Sequence, residues 1–300
     1  MRQVLVISIA VVAVAVAVAL QAQGGRGGAR DVPGRGDGRE AQSGVIEDNG
    51  GIRYINPGSP TIPDADIDKF PIPRMPDGHV DLTGPWVGGG SNGDIEADGG
   101  LKPGELPLQQ WAKDVRDKRL AKDEPYTACL PMSVPRVNPY PWKFSYEYES
   151  TGLTHMYVLH ETGDAGAHRV VYMDGRPHPK NPVPTWWGHS VGHWEGDTLV
   201  IDTVGYNDKF WFDSRGTPHT EKLHTIERWT RTHWARIEND FTLDDPGALT
   251  RPVKLHFVGR LLRPDRETGK GDLMEFICLE DNEYGRAAQI QIGTGTDGKK

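Results

Sequence analysis

From residue 143 onward, the alternation of apolar and polar positions predicts a series of short strands. Nine segments carry it: 143–149, 154–160, 168–174, 188–194, 198–204, 222–231, 234–243, 252–260 and 273–279. They favour β-branched and aromatic residues and are bounded by turn formers. Those turns fall at Thr151-Gly152, Gly163-Asp164, Asp174-Gly175, Glu195-Gly196, Asp245-Pro246 and Thr268-Gly269. Gly152, Gly163 and Gly166 predict a loose connection between 150 and 168. No helical pattern interrupts the series. The fold class is therefore mainly β: an antiparallel meander closing into a barrel, with a β-sandwich as runner-up. Closure removes exposed strand edges, and a barrel of this strand number can hold one small ligand. One helical segment, Pro107 to Leu120, precedes the strands, with Leu108, Trp111, Val115 and Leu120 on a rough 3.6-residue period.

The polar positions are most informative in Gly188 to Gly205, read as two strands joined at Glu195-Gly196-Asp197. A loop of two or four residues is expected to pair positions whose numbers sum to 391, which sets His189 opposite Asp202 and His193 opposite Thr198. Alternation puts His189, Val191 and His193 on one face, expected to point inward. An imidazole beside a carboxylate is held in one tautomer and made more basic. His189, Asp202 and His193 are thus candidate catalytic residues, with Glu221 and His224 as further acid/base groups from Pro218 to His224. A divalent metal such as Zn, held by His219, Glu221 and His224 with a hairpin histidine, is the minor alternative; no cofactor is expected otherwise. Gly188-His189-Ser190-Val191-Gly192 fits the Gly-x-Ser-x-Gly nucleophile elbow only formally, because a strand rather than a helix follows it.

Asp174-Gly175-Arg176-Pro177-His178-Pro179 is a tight turn stiffened by two prolines. It presents Arg176 and His178 as candidate ligand-binding residues, with a structural Asp as the alternative partner for Arg176. Trp186, Trp187 and Trp211 fall in expected loops and are candidate pocket walls, together with His219.

Composition adds location. Val4 to Leu20 is a 17-residue apolar run broken only by Ser8, after Arg2 and before the cleavable Leu20-Gln21-Ala22. Residues 1–22 therefore read as a signal peptide, and the chain as periplasmic or secreted, with no membrane partner after cleavage. Two cysteines in an exported chain, Cys129 and Cys278, suggest one disulfide. A net charge of −8 without a basic stripe argues against a nucleic-acid partner. Residues 23–75 are rich in Gly and Pro and read as a linker and arm. Residues 76–125 read as a strand and helix packed on the barrel, 126–285 as the antiparallel β domain and 286–300 as a tail.

Two resemblances follow from the motifs. Cys129-Leu130-Pro131, Tyr172 to Pro179, Pro184-Thr185-Trp186, Gly188 to Thr203, His219 to Arg228, Asp244-Asp245-Pro246 and Cys278 to Glu283 resemble a large family of exported bacterial proteins. That resemblance brings no reaction with it. Gly84-Pro85-Trp86, at the head of the strands, is similar to the opening strand of lipocalin-like (calycin) barrels, where the Trp plugs one end. The reading is an exported barrel binding a small apolar, aromatic or sugar-like molecule in a Trp- and His-lined pocket. The alternative is a cofactor-independent lyase, isomerase or hydrolase using the same His/Asp/Glu cluster, and a third class is an envelope structural protein.

Overall fold

The computed structural model describes residues 46–47, 53–54, 61–91, 93–162, 168–262, 272–273 and 278. The expected signal segment, most of the ninth expected strand (273–279) and the tail lie outside them. β1 (Ile46–Glu47) and β2 (Arg53–Tyr54) form a separate two-strand ladder. The other nine strands close a barrel: β3 (Trp86–Gly88), β4 (Trp142–Glu149), β5 (Gly152–His160), β6 (His168–Tyr172), β7 (His189–Glu195), β8 (Thr198–Val204), β9 (His224–His233), β10 (Arg236–Asp244) and β11 (Val253–Leu261). β11 pairs with β3, so the strand beginning at Trp86 completes the ring.

Every junction is antiparallel except β6 to β7, which is parallel. A parallel pair cannot be joined by a tight turn and needs a long crossover. Residues 173–188 supply it. Pro177, Pro179, Pro182 and Pro184 keep this stretch out of both helix and sheet, so it runs extended across the wall. The meander expected from the sequence is thus broken once, where the prolines concentrate.

Burial alternates along β5, β9 and β10, as a closed sheet requires. Trp86, Trp142, Phe144, Met156, Leu199, Ile201, Trp229 and Ile237 face inward and pack together. Trp86 is fully buried and its Nε1 donates to the Leu82 carbonyl at 2.8 Å. The Arg231 guanidinium lies 4.9 Å from its ring centre and donates to the Asp81 carbonyl, tying the segment before β3 to the barrel. Trp142 and Trp229, with centroids 4.8 Å apart, fill the adjacent layer. A second cluster, including Tyr206, Phe210, Phe212, Leu223 and Phe241, is built largely from connecting segments.

Two features of the helical segment differ from expectation. α1 (Ile95–Asp98) is an extra turn, capped by the Asp94 side chain on Glu96 N–H. α2 spans Gln110–Lys118 and buries Ala112, while Trp111 and Leu120 are 40% and 55% exposed. Leu108 is buried, but in a bridge to Leu249 that precedes the helix. The apolar period overstated the helix because Trp111 stays exposed, donating Nε1–H to the Gly247 carbonyl at 2.9 Å.

The interior also holds a charge pair. Arg169 Nη1 donates to Glu227 Oε1 at 2.5 Å, and Trp229 Nε1 donates to Glu227 Oε2 at 3.0 Å. Both charged side chains are buried. Removing one partner strands the other charge, whereas replacing both with apolar groups of similar volume can be nearly neutral. Glu227→Leu should cost about 3–5 kcal/mol in urea denaturation, and adding Arg169→Met should restore most of it. A loss in the double variant equal to the sum of the Glu227→Leu and Arg169→Met losses would show that the pair is not coupled.

Candidate functional site

The central hairpin closes with a two-residue loop, Gly196-Asp197, in which Gly196 takes the left-handed φ of +62°. Glu195 pairs with Thr198, so paired positions sum to 393 rather than 391. Asp202 therefore lies opposite Val191, His193 opposite Val200 and His189 opposite Val204. The parity is as expected, so His189, His193 and Asp202 share a face, but that face is the outer one. Ser190, Gly192, Leu199, Ile201 and Thr203 take the interior. Ser190 Oγ is bonded to Thr203 Oγ1 at 2.8 Å and buried inside the wall, on the face away from His189 and Asp202. Gly192 is glycine because an inward Cβ would meet Met173 Sδ at 2.5 Å and Val171 at 2.8 Å. In this hairpin the inward room went to small and aliphatic residues, and its two imidazoles were left outside.

The crossover brings the site together. His178, fixed between Pro177 and Pro179, lies over β7 and β8. Its Nδ1 is 2.9 Å from His189 Nδ1, and its Nε2 is 3.1 Å from Asp202 Oδ1. His224, at the start of β9, reaches the same Asp202 oxygen with Nε2 at 2.8 Å. The result is one unbroken run, His189–His178–Asp202–His224, from three strands and a loop. A row of cross-strand neighbours extends it sideways: Glu147 opposite His155, His155 opposite Tyr172, Tyr172 opposite Val191, and Val191 opposite Asp202. The Tyr172 ring stacks on His189 at 5.0 Å and carries the Arg176 guanidinium 4.1 Å from its centre. Arg176 spends Nε and Nη2 on Asp174, its structural partner.

Carboxylates only accept, so both nitrogens facing Asp202 carry hydrogen. His178 Nδ1 is then either bare, accepting Nδ1–H from His189, or protonated and donating to it. Half-burial opposes ionisation of Asp202, but the two imidazoles outweigh it and hold the carboxyl below its usual range. The Asp202 bond raises the pKa of His224. Burial first, then His178 and Arg176, lower that of His189, which favours its neutral form. His189 is thus a base whose far nitrogen, Nε2, has no partner among the described residues.

The other expected site residues lie elsewhere. His193 is exposed and bonded to Glu195 at 3.1 Å. Glu221 is exposed, away from the run. His219 is buried between Phe210 and Phe212, with ring centroids 4.0 and 4.9 Å away, so His219, Glu221 and His224 do not form a metal site. Trp211 is buried beneath Arg119, while Trp186 and Trp187 are half-buried against the second cluster. Glu147, Glu149 and His155, further along the wall, offer ligand atoms within 4.8 Å of one another. Tyr172 was given no role by sequence reasoning, although alternation along β6 and its place beside Asp174 were the available signals.

The fold is a closed nine-strand β-barrel, compatible with a lipocalin-like fold, and a histidine–aspartate run crosses its outer wall. No family model, curated protein or solved structure matches the chain.

Proposed function

We propose that this is an exported β-barrel protein that binds a small anionic molecule on its outer wall and exchanges a proton with it at His189. The hydrogen-bonded run from His189 to His224 carries this reading. In the resting arrangement His189 holds hydrogen on Nδ1 and offers a bare Nε2. Taking a proton from the ligand at Nε2 lets the Nδ1 proton pass to His178 Nδ1. The positive charge then rests on His178, against the Asp202 carboxylate. Tyr172, stacked against His189 and beneath the Arg176 guanidinium, holds both groups in place, and Arg176 Nη1, not engaged by Asp174, is left to meet an anionic group. The disulfide between Cys129 and Cys278 supports export, since such bonds persist in oxidising compartments. The motif resemblance to exported bacterial proteins supports it as well.

The test is deuterium exchange of acidic C–H groups in a panel of small keto acids, followed by NMR. The native protein should catalyse exchange, His189→Ala should abolish it, and His178→Phe should slow it about 10²-fold or more. If exchange is absent but His189→Ala removes a ligand-induced thermal shift, the wall binds without catalysing. Loss of neither would end the reading.

A further inference from the structure

A second polar site lies on the opposite side of the wall, inside the barrel. His160 ends β5 with its side chain inward and 5% exposed. Among the described residues neither Nδ1 nor Nε2 has a hydrogen-bond partner, although one of them carries hydrogen and the other a lone pair in the neutral ring. Thr162, next but one along the chain, is buried with Oγ1 unpartnered. Arg169, paired one step along the ladder opposite Val158, has an enclosed and unpartnered Nε–H. Four buried polar atoms without a partner among the described residues thus belong to three residues near one end of the barrel. Each such group costs free energy unless something fills its bonding capacity. The half-buried Trp187 lies flat over the His160 ring, with centroids 5.3 Å apart and planes 7° apart.

We propose that this end of the barrel binds the carboxyl group of a small monocarboxylic acid, taken up together with one proton. The donor inventory selects the ligand. Arg169 Nε–H and the Thr162 hydroxyl present donors, and His160 presents one donor and one acceptor. A carboxyl group offers two acceptor oxygens and, when protonated, one donor. Charge balance supplies the proton. The positive charge of Arg169 is already matched by Glu227, and Tyr206, the other titratable group facing Arg169, is neutral. A bare carboxylate would add an uncompensated buried charge, whereas a carboxylic acid, or a carboxylate with His160 protonated, adds none. This site shares no residue with the outer run, and its existence does not depend on proton exchange at His189.

The experiment is calorimetric titration of the full chain with acetate and with benzoate between pH 5 and 7, in buffers of different ionisation enthalpy. We expect proton uptake rising to one per ligand bound by pH 7, and affinity falling about tenfold per pH unit above the ligand's own pKa. His160→Phe keeps the stack on Trp187, removes both ring nitrogens and should abolish binding. Thr162→Val removes one donor, should weaken binding several-fold, and decides the matter if His160→Phe does not fold. Absence of binding at pH 5, binding without proton uptake, or equal affinity in the native protein and Thr162→Val would overturn the proposal. So would a crystal structure from acetate solution with only a water between His160 and Arg169.

Discussion

Acidification from pH 6.5 to 4 should strip several kcal/mol from this fold before most carboxylates titrate. Two enclosed imidazoles cause it. Burial, with Arg169 nearby, pushes His160 down to about 3, and burial pushes His219 down to about 4 despite its bond to the Thr220 carbonyl. In the unfolded chain both titrate near 6.5. Below that pH the unfolded state binds protons that the folded state refuses, so stability falls with pH. Their contribution is intact above pH 6.5 and is lost progressively toward pH 4 for His219 and pH 3 for His160. Each imidazole contributes about 1.4 kcal/mol per pH unit across its window, so the combined slope approaches roughly 2.7 kcal/mol per unit between pH 6 and 4. His224 acts in the opposite sense. Its bond to Asp202 raises its pKa, so its contribution is present below 6.5 and disappears as pH rises through the raised value. It is half exposed, and solvent screening leaves it the weaker effect. Urea denaturation at successive pH values, in buffers free of carboxylates, measures the slope. His160→Phe and His219→Leu should each remove about one proton's worth of it. A stability that stays flat from pH 7 to 4.5 would show that these imidazoles are hydrated rather than enclosed.

The same two histidines show where sequence reasoning reached and where it stopped. Strand positions were legible because alternation is a local property: the expected 198–204 is β8 residue for residue, and 168–174 overshoots β6 by two. Hairpin parity was legible for the same reason. Which face turned inward was not. β8 places Leu199, Val200 and Ile201 in succession, and only closure of the barrel decides that Leu199 and Ile201 fill the lumen while Asp202 stays outside. His189 and Asp202 were singled out as a direct pair, yet they are joined by His178, which the sequence offered as a loop residue for ligand binding. That contact depends on the parallel pairing of β6 and β7, a long-range outcome that prolines in 173–188 permit but do not specify. His219 looked like a metal ligand because its neighbours are polar; Phe210 and Phe212, which enclose it, are close in sequence but gave no periodic signal. Arg169 and Glu227 escaped notice because buried charges read as surface residues until a partner is seen.

The second large effect concerns Cys129 and Cys278, which are joined across 149 positions of the chain. Cys129 follows the short 3-10 turn Pro125–Ala128, and the bond ties Cys278, beyond the last barrel strand, back to that turn. Every barrel strand from β4 to β11 lies inside the closed loop. The cross-link therefore restricts nearly the whole folding unit when it unfolds. In the chain-entropy description a loop of this length contributes about 5 kcal/mol, close to the full stability of many domains. Cys129→Ser with Cys278→Ser should lower the unfolding free energy measured in urea by most of that amount, and the midpoint with it. It should also steepen the denaturant dependence, because the unfolded chain is free to expand and exposes more surface. The two readouts separate mechanisms. A lower midpoint with an unchanged slope would place the stabilisation in local contacts such as that of Cys278 with the Tyr126 carbonyl. A loss below about 1 kcal/mol would mean that the reduced chain is already compact enough to close the loop unaided.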